Sequence, residues 1–129
     1  MDQYKATKDV VCSFLCDMKN LLNNSNFNIE KNFMLGGKYE REKNTKTLIE
    51  LNMDTNDVIE ELKKLTTSNY YQSVPDIKRP NMPDYHVFYI PSIENKEIYI
   101  KVRIQQIKKI LCISFHFAEY SHGKMPYSN

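Results

Sequence analysis

The apolar residues of this chain change their period part-way along its length. In residues 2–22 they recur every three or four positions, the spacing of an amphipathic helix, with Asp2 placed to cap its start. The segment "DTNDVIEELKKL" has the same spacing, with Asp54 as its cap and Asp57 at the third helical position. These patterns predict two helices, and the apolar residues of "REKNTKTLIELNM" indicate a shorter one between them.

The later part of the chain alternates apolar and polar residues with a period of two, which is typical of strands. Three segments show it, "HVFYI", "KEIYIKVRI" and "KILCISFHF", and all are rich in Ile, Val, Tyr or Phe. The connections "PSIENK" and "QQIKK" are short enough to join neighbouring antiparallel strands. A short strand is expected near "KNFML", and the proline-rich segment "SVPDIKRPNMPD" is predicted to be a surface loop.

The order of these elements predicts an α+β fold. The helices come first and would pack on one face of a small antiparallel β-sheet meander. A chain of 129 residues supports one hydrophobic core, so we expect a single domain over residues 1–129.

Composition excludes several classes of protein. With 26% charged residues and no apolar run near the roughly 20 residues that span a bilayer, we expect no association with a membrane. The N-terminus has none of the features of a signal peptide, so we expect a cytoplasmic protein. The three cysteines lack the spacing of a zinc site, and nothing indicates a metal or another cofactor. A net charge of +2 is too small to identify a nucleic-acid partner by itself.

The segment "KEIYIKVRI" places a phenol and two cations on one face of a strand. Its isoleucines and its valine take the other face, while Tyr99, Lys101 and Arg103 follow one another at intervals of about 7 Å. This spacing suits contact with successive phosphates of a single-stranded nucleic acid. The same pattern fits an ordinary sheet face covered by water, and both interpretations stay open.

The last predicted strand carries a histidine in an apolar run. His116 shares a face with Ser114, and hairpin pairing would bring that face across from Tyr99 or Lys101, open to solvent. A histidine, a tyrosine and fixed cations suit metal-independent RNA cleavage, in which the 2′-OH attacks the adjacent phosphate. His116 would move a proton, while Lys101 and Arg103 would stabilise the developing charge. A histidine with a purely structural role is the alternative.

Four segments in this order resemble the MqsR family of bacterial toxins. They are "REKNTKTLIELNM", "DVIEELKKLTTSNYYQS", "KEIYIKVRI" and "CISFHFAEY" with its tail "MPYSN". The resemblance implies a RelE-like fold and a toxin of a type II toxin–antitoxin system that cleaves messenger RNA without a metal. It also implies two partners, a cognate antitoxin and single-stranded messenger RNA.

The resemblance also implies which residues form the site. Tyr99 and Lys101 match a tyrosine and a lysine of the family, and His116 stands where members have a lysine. Tyr71 and Gln72 occupy a position where members have an aromatic residue followed by lysine, so a cation is missing there. A glutamine that members carry in the first strand of the meander has no counterpart. The predicted site comprises His116, Tyr99 and Lys101 for catalysis, and Arg103, Gln72, Tyr71 and Ser114 for RNA contact.

A non-catalytic module of the same fold is the alternative function. Its basic face would bind RNA or a protein, and binding would weaken with salt and with reversal of Lys101 and Arg103 to Glu. The other two histidines enter neither scheme. His86 is expected to be an ordinary residue before the first strand of the meander, and His122 to lie in a mobile tail.

Overall fold

The computed structural model describes residues 2–105 and 108–128, in which four α-helices accompany one five-stranded sheet. The helices are α1 (Lys8–Asn23), α2 (Ile29–Asn32), α3 (Arg41–Leu51) and α4 (Thr55–Lys64). The strands are β1 (Phe33–Leu35), β2 (Tyr70–Val74), β3 (Tyr85–Ile93), β4 (Lys96–Gln105) and β5 (Lys109–Phe117). The predicted α+β class is confirmed. None of the helices in this described part is long and apolar enough to cross a membrane.

The sheet is mixed, with the strand order β1-β5-β4-β3-β2. Strands β2 to β5 form an antiparallel meander. Strand β1 pairs with the other side of β5 in the parallel direction, so the expectation of a purely antiparallel sheet is wrong for this strand. Parallel pairing needs a long connection, and most of the chain lies between these two strands. The predicted connection between β4 and β5 includes Gln106 and Ile107, which lie outside the described residues.

Strand β2 has no counterpart in the sequence pattern. It follows a single 3₁₀ turn, Thr67–Asn69, and pairs with β3 so that Tyr70 lies opposite Phe88. Its register shifts between Tyr70 and Gln72, as at a β-bulge. A bulge breaks the alternation of faces, so five residues with two polar side chains do not show a period of two.

Helix α1 begins later than the apolar pattern predicts. Its cap is Thr7, whose side chain accepts a hydrogen bond of 3.3 Å from the Val10 amide, and not Asp2. The preceding residues are held in extended form because Tyr4 and Ser73 exchange backbone hydrogen bonds of 3.1 and 2.8 Å. Pairing with β2 therefore takes precedence over continuing the helix.

Helix α4 and helix α1 pack against each other and cover one face of the sheet. The predicted cap of α4 is confirmed, since Asp54 accepts a hydrogen bond of 3.0 Å from the Asp57 amide and Asp57 accepts one of 2.9 Å in return. Apolar side chains fill the core between these helices and the sheet: Val11, Leu15, Met18, Leu22, Val58, Ile59, Leu62, Phe88, Ile98, Ile100, Val102, Cys112 and Phe115. The apolar face predicted for "KEIYIKVRI" is therefore the core face.

Helix α3 occupies the edge of β5 beyond the end of β1. The Asn44 side chain donates to the Ile113 carbonyl at 3.1 Å and accepts from the Phe115 amide at 2.9 Å. The Thr47 hydroxyl accepts from the Phe117 amide at 3.1 Å. These side chains satisfy backbone groups that a neighbouring strand would otherwise pair. They also fix the start of α3 beside the polar face of β5.

Candidate active site on the polar face of the sheet

Strand pairing brings the predicted residues together on the face opposite the core. Tyr99 lies opposite His116, and Lys101 lies opposite Ser114, as the hairpin geometry predicts. The rings of Tyr99 and His116 stack with their centroids 5.3 Å apart and their planes 27° from parallel. The predicted pairing of β4 with β5 is confirmed.

A row of aromatic rings crosses four strands on this face. Tyr71 on β2 meets Tyr89 on β3 edge to face with centroids 5.5 Å apart, and Tyr89 meets Tyr99 on β4 at the same separation. The stacked pair of Tyr99 and His116 continues the row onto β5. Tyr89 and His116 are buried within this row, whereas Tyr71 and Tyr99 are partly exposed and could stack on the flat faces of bases.

Gln72 and Ser114 flank this aromatic row. Gln72 lies opposite Val87 on β3, and Val87 in turn lies opposite Lys101 on β4. Ser114 is almost fully buried, and its hydroxyl donates a hydrogen bond of 3.3 Å to Oε2 of Glu40. Ser114 is therefore the direct neighbour of Lys101 across the strands, whereas Val87 separates Gln72 from Lys101.

His116 is only 4% exposed, so the expectation that it lies open to solvent is wrong. It is on the predicted face, but the residue just before α3 covers it. Its Nε2 lies 2.9 Å from Oε2 of Glu40, and its Nδ1 lies 3.0 Å from the carbonyl oxygen of Phe117. The buried imidazole thus has a polar partner at each nitrogen, as burial requires.

Glu40 is a residue of this candidate site that sequence analysis missed. Its Oε2 accepts from Ser114 and contacts His116, and its side chain is 26% exposed. It sits at the cap position of α3 but makes no side-chain hydrogen bond to the helix. Because 76 residues separate Glu40 from His116, no spacing rule could have paired them.

The two glycines before Glu40 are a sequence signal for the close approach of this segment to β5. Gly36 has a φ of +98°, a backbone conformation that favours glycine. A Cβ on Gly37 would lie 2.8 Å from Cγ1 of Ile113, so only glycine allows the chain to come this close to β5. The pair "GG" in "MLGGKYE" could have indicated a tight turn against another segment, but not against which one.

Several ionisable groups in and around the pair of Tyr99 and His116 have shifted pKa values. Burial lowers the pKa of Lys101, whose Nζ lies 5.0 Å from the ring centroid of Tyr85. Burial and then the nearby Glu40 carboxylate raise the pKa of Tyr99, so this phenol stays a hydrogen-bond donor at neutral pH. A hydrogen bond of 2.8 Å from Lys43 lowers the pKa of Glu119. The site therefore combines a protonated phenol, two amines and two carboxyl groups.

Arg103 is 1% exposed, so the expectation that it lies on an open face is wrong. Its guanidinium donates to Asp76 at 2.8 Å, to the Pro83 carbonyl at 3.3 Å and to Gln105 at 2.9 Å. It also lies 4.3 Å from the ring centroid of Tyr85. The proline-rich loop between β2 and β3 folds over Arg103 because its carboxylate and its carbonyl pair with the buried cation.

Two cavities meet at Glu40 and Tyr99. One of about 190 Å³ is lined by Glu40, Lys43, Tyr89, Tyr99, His116, Glu119 and Tyr120. The other, of about 230 Å³, is lined by Lys38, Tyr39, Glu40, Tyr99, Lys101, Ile113 and Ser114. In residues 2–105 and 108–128, no three His, Cys, Asp or Glu side chains group together so that they could hold a metal ion.

The sequence profile of one protein family matches residues 17–117, which include the Tyr99–His116 pair and Glu40. That family is described as the motility quorum-sensing regulator, toxin of MqsA. The chain belongs to this family. The resemblance to MqsR toxins is thereby confirmed, and the protein is a toxin of a toxin–antitoxin system with an antitoxin as its partner. No curated protein matches the chain.

The residues that follow the part matched to the MqsR family pack against the aromatic row. The ring of His122 lies 4.0 Å from that of Tyr89, and its Nε2 lies 2.8 Å from Oε2 of Glu97. Its Nδ1 is 2.7 Å from the carbonyl oxygen of Gly123, whose amide donates to the Tyr71 hydroxyl at 3.4 Å. The expectation that His122 lies in a mobile tail is therefore wrong, because its contacts attach it to the sheet.

Proposed function

We propose that this toxin is an endoribonuclease that cleaves single-stranded messenger RNA without a metal. The single observation that carries the proposal is the stacked pair of Tyr99 and His116 beside Lys101, in a cavity next to an aromatic row. Proton transfer, charge stabilisation and base stacking are the three capabilities that such a reaction needs. All three are present on one sheet face.

The reaction is attack of an RNA 2′-OH on its own 3′-phosphate. His116 transfers a proton in this step. Lys101 stabilises the charge that develops on the phosphoryl oxygens, and Tyr99, which stays protonated, donates a hydrogen bond to the same group. The products are a 2′,3′-cyclic phosphate and a 5′-hydroxyl.

Binding of RNA uses the aromatic row and its polar neighbours. Bases stack on Tyr71 and Tyr99, the partly exposed rings of the row, and Gln72 hydrogen-bonds to a nucleotide at the β2 side, while Ser114 acts through its hydrogen bond to Glu40. Arg103 acts indirectly in this scheme, because its guanidinium is occupied by the loop between β2 and β3. The toxin acts as one domain in the cytoplasm, with messenger RNA and the antitoxin as its partners.

The test is cleavage of a defined single-stranded RNA by the purified wild type and by His116→Ala, both in the presence of EDTA. We expect fragments with cyclic-phosphate ends from the wild type alone. Circular dichroism and a denaturation midpoint establish that the variant is folded. Intact RNA with a folded wild type would overturn the proposal.

The burial of His116 supports a second candidate, a non-catalytic module that binds RNA or a protein through the aromatic row. In that case His116→Ala would leave binding unchanged, because the imidazole would serve only to hold Glu40 and the Phe117 carbonyl. Lys101→Glu would weaken binding to RNA and reduce its dependence on salt. Binding without cleavage, measured on the same RNA, separates this candidate from the ribonuclease.

A further inference from the structure

We propose that Glu40 is the general base of the cleavage reaction and that His116 is its general acid. This inference rests on the proposed ribonuclease function and deepens it. It changes the role of His116 from an unspecified proton carrier to a donor, and it places Glu40, a residue with no role in the predicted site, at the centre of the reaction.

The hydrogen-bond partners of His116 carry the argument. A carbonyl oxygen only accepts, so Nδ1, 3.0 Å from the Phe117 carbonyl, must carry a hydrogen. An ionised carboxylate also only accepts, and Nε2 lies 2.9 Å from Oε2 of Glu40. A proton therefore lies between the imidazole and the carboxyl group. Neither nitrogen has a free lone pair with which to accept the proton of a 2′-OH.

Glu40 is placed to accept the proton of a 2′-OH, which His116 cannot do. It lines both cavities that meet at Tyr99, and its side chain is more exposed than the imidazole that it covers. RNA that runs from one cavity to the other therefore passes over this carboxylate. The second carboxylate nearby, that of Glu119, is bound to Lys43 at 2.8 Å.

Lys101 is the competing base on this face. Burial lowers the pKa of its amine, which favours the neutral form that a base requires. Its position opposite Ser114, however, leaves it beside Glu40 and not in contact with His116. A cation beside the phosphate is of more use to the developing negative charge, so we keep Lys101 in that role.

The proposed steps balance without an added reagent. Glu40 takes the proton of the 2′-OH as the bond from O2′ to phosphorus forms, and the bond from phosphorus to O5′ breaks. His116 gives the Nε2 proton to O5′, which leaves as a hydroxyl. The protonated Glu40 then returns a proton to Nε2 across their hydrogen bond, which restores the starting state.

The deciding experiment compares two substrates that differ only in the leaving atom. Cleavage of a dinucleotide with the natural 5′-oxygen needs a general acid to protonate the leaving oxygen. When sulfur replaces that oxygen, the leaving group departs as a thiolate and needs no general acid. We expect His116→Ala to slow cleavage of the oxygen substrate about 10²- to 10⁴-fold and to regain most of that rate on sulfur. Glu40→Gln should slow both substrates to a similar extent.

Three outcomes would overturn the inference. Rescue of Glu40→Gln by sulfur while His116→Ala stays slow would reverse the two roles. Equal losses on both substrates for both variants would reduce the pair to a positioning role and favour Lys101 as the base. Failure of the folded wild type to cleave either substrate would overturn the ribonuclease proposal as well, and so can be told apart from the first two.

A control and an independent measurement complete the design. Glu42→Gln makes the same change in the first turn of α3, where Glu42 is exposed and paired with Lys46, and should cleave both substrates at the wild-type rate. Nitrogen NMR of the His116 ring tests the pair without substrate. We expect the Nε2 signal to differ between the wild type and Glu40→Gln while Nδ1 keeps its hydrogen in both; an Nε2 signal that is the same in the two proteins would contradict the contact on which the inference rests.

Discussion

Two groups, each made of a tyrosine, a serine and a histidine, lie on opposite faces of the sheet. They differ in whether a carboxylate contacts the histidine. Each group has a tyrosine, a buried serine and a histidine that are linked through hydrogen bonds or ring contacts. Within the part of the chain that the structure describes, no carboxylate is in hydrogen-bond contact with the histidine on the core face, whereas on the polar face there is Glu40. The two groups are Tyr70, Ser73 and His86, and Tyr99, Ser114 and His116.

The core-face group is a chain of neutral hydrogen bonds. The Tyr70 hydroxyl lies 2.7 Å from that of Ser73, which lies 2.7 Å from Nδ1 of His86. The amide of Ala6 donates to the same Tyr70 hydroxyl at 2.9 Å, and the ring of Phe14 packs 4.4 Å from His86. Burial lowers the pKa of His86, although the nearby Asp84 opposes this shift. The group joins the N-terminal segment to β2 and β3 and carries no charge.

Under the proposed function, the two histidines differ in chemistry because of their partners, and not because of their residue type. Both imidazoles sit in strands; His86 bonds to Ser73 through Nδ1, and His116 has a partner at each nitrogen. Only His116 shares a proton with a carboxylate that lines a cavity. The structural interpretation of a strand histidine therefore fits His86, and the functional one fits His116.

The largest expected effect comes from exchanging each histidine for glutamine. His116→Gln should lower the rate of RNA cleavage about 10²- to 10⁴-fold, because an amide keeps hydrogen bonds but transfers no proton. His86→Gln should leave the rate per folded molecule unchanged. Initial rates on one RNA, corrected for the folded fraction, are the measurement. Similar losses in both variants would remove the functional distinction between the two faces.

The second effect concerns the two serines. Ser73→Ala removes the partner of His86 Nδ1 and leaves the Tyr70 hydroxyl with the Ala6 amide alone, and should lower the free energy of unfolding by about 1–3 kcal/mol. Ser114→Ala should lower it less, because Glu40 keeps its contact with His116. Urea denaturation of the two variants measures the difference. A larger loss for Ser114→Ala would mean that the polar face is the more important one for stability.

The third effect is a dependence of stability on pH. Since burial lowers the pKa of His86 in the folded state, the unfolded chain binds the proton more tightly. The contribution of His86 to stability is therefore present above pH about 6.5, its unfolded pKa, and is lost as the pH falls through the folded value. The free energy of unfolding should decrease less on acidification in His86→Phe than in the wild type. Identical curves for the two proteins would contradict this sign.

The smallest effect tests whether a carboxylate partner alone is enough. His122 has the same pair of acceptors as His116, with burial lowering its pKa but the Gly123 carbonyl and Glu97 raising it overall. Its contribution to stability is thus present below pH about 6.5 and is lost as the pH rises through the folded pKa. His122→Asn should cost less than about 1 kcal/mol at low pH, since the ion pair is partly exposed.

Cleavage by His122→Asn provides the comparison with His116. The His122 ring lies against Tyr89 beyond the two cavities that meet at Glu40, so we expect the rate to be unchanged. A loss of cleavage equal to that of His116→Gln would mean that bonding partners, and not position, define the active histidine.

Alternation along β4 and β5 was enough to predict the pairs of Tyr99 with His116 and Lys101 with Ser114, but not the register shift after Lys101 that turns Cys112 into the core opposite Val102. Side chains in strands point to alternate faces, so the residue order of "KEIYIKVRI" and "KILCISFHF" predicts the contact of Tyr99 with His116. The same reasoning could not foresee that Arg103 is buried. Its cover comes from Asp76 and Pro83 in a loop whose path no periodicity describes.

Glu40 shows a second limit of the sequence. Its partners lie on a strand near the other end of the chain, and its place there depends on how α3 docks along the edge of β5. That docking uses Asn44 and Thr47, polar residues that look solvent-facing in a helix of weak amphipathic character. Polar side chains that replace a strand partner leave no hydrophobic pattern to detect.

The docking of α3 also covers an edge of the sheet at which another copy of this protein could add a strand. An uncovered stretch of β5 would expose a ladder of amides and carbonyls beside the apolar run "ILCISFHF", the combination from which sheets grow between molecules. Asn44 and Thr47 occupy these groups, and a rigid helix takes the place where an incoming strand would lie. Helix α3, which begins just after Glu40, therefore also protects this edge of the sheet against aggregation. The proposed activity and the solubility of the molecule depend on the same few hydrogen bonds.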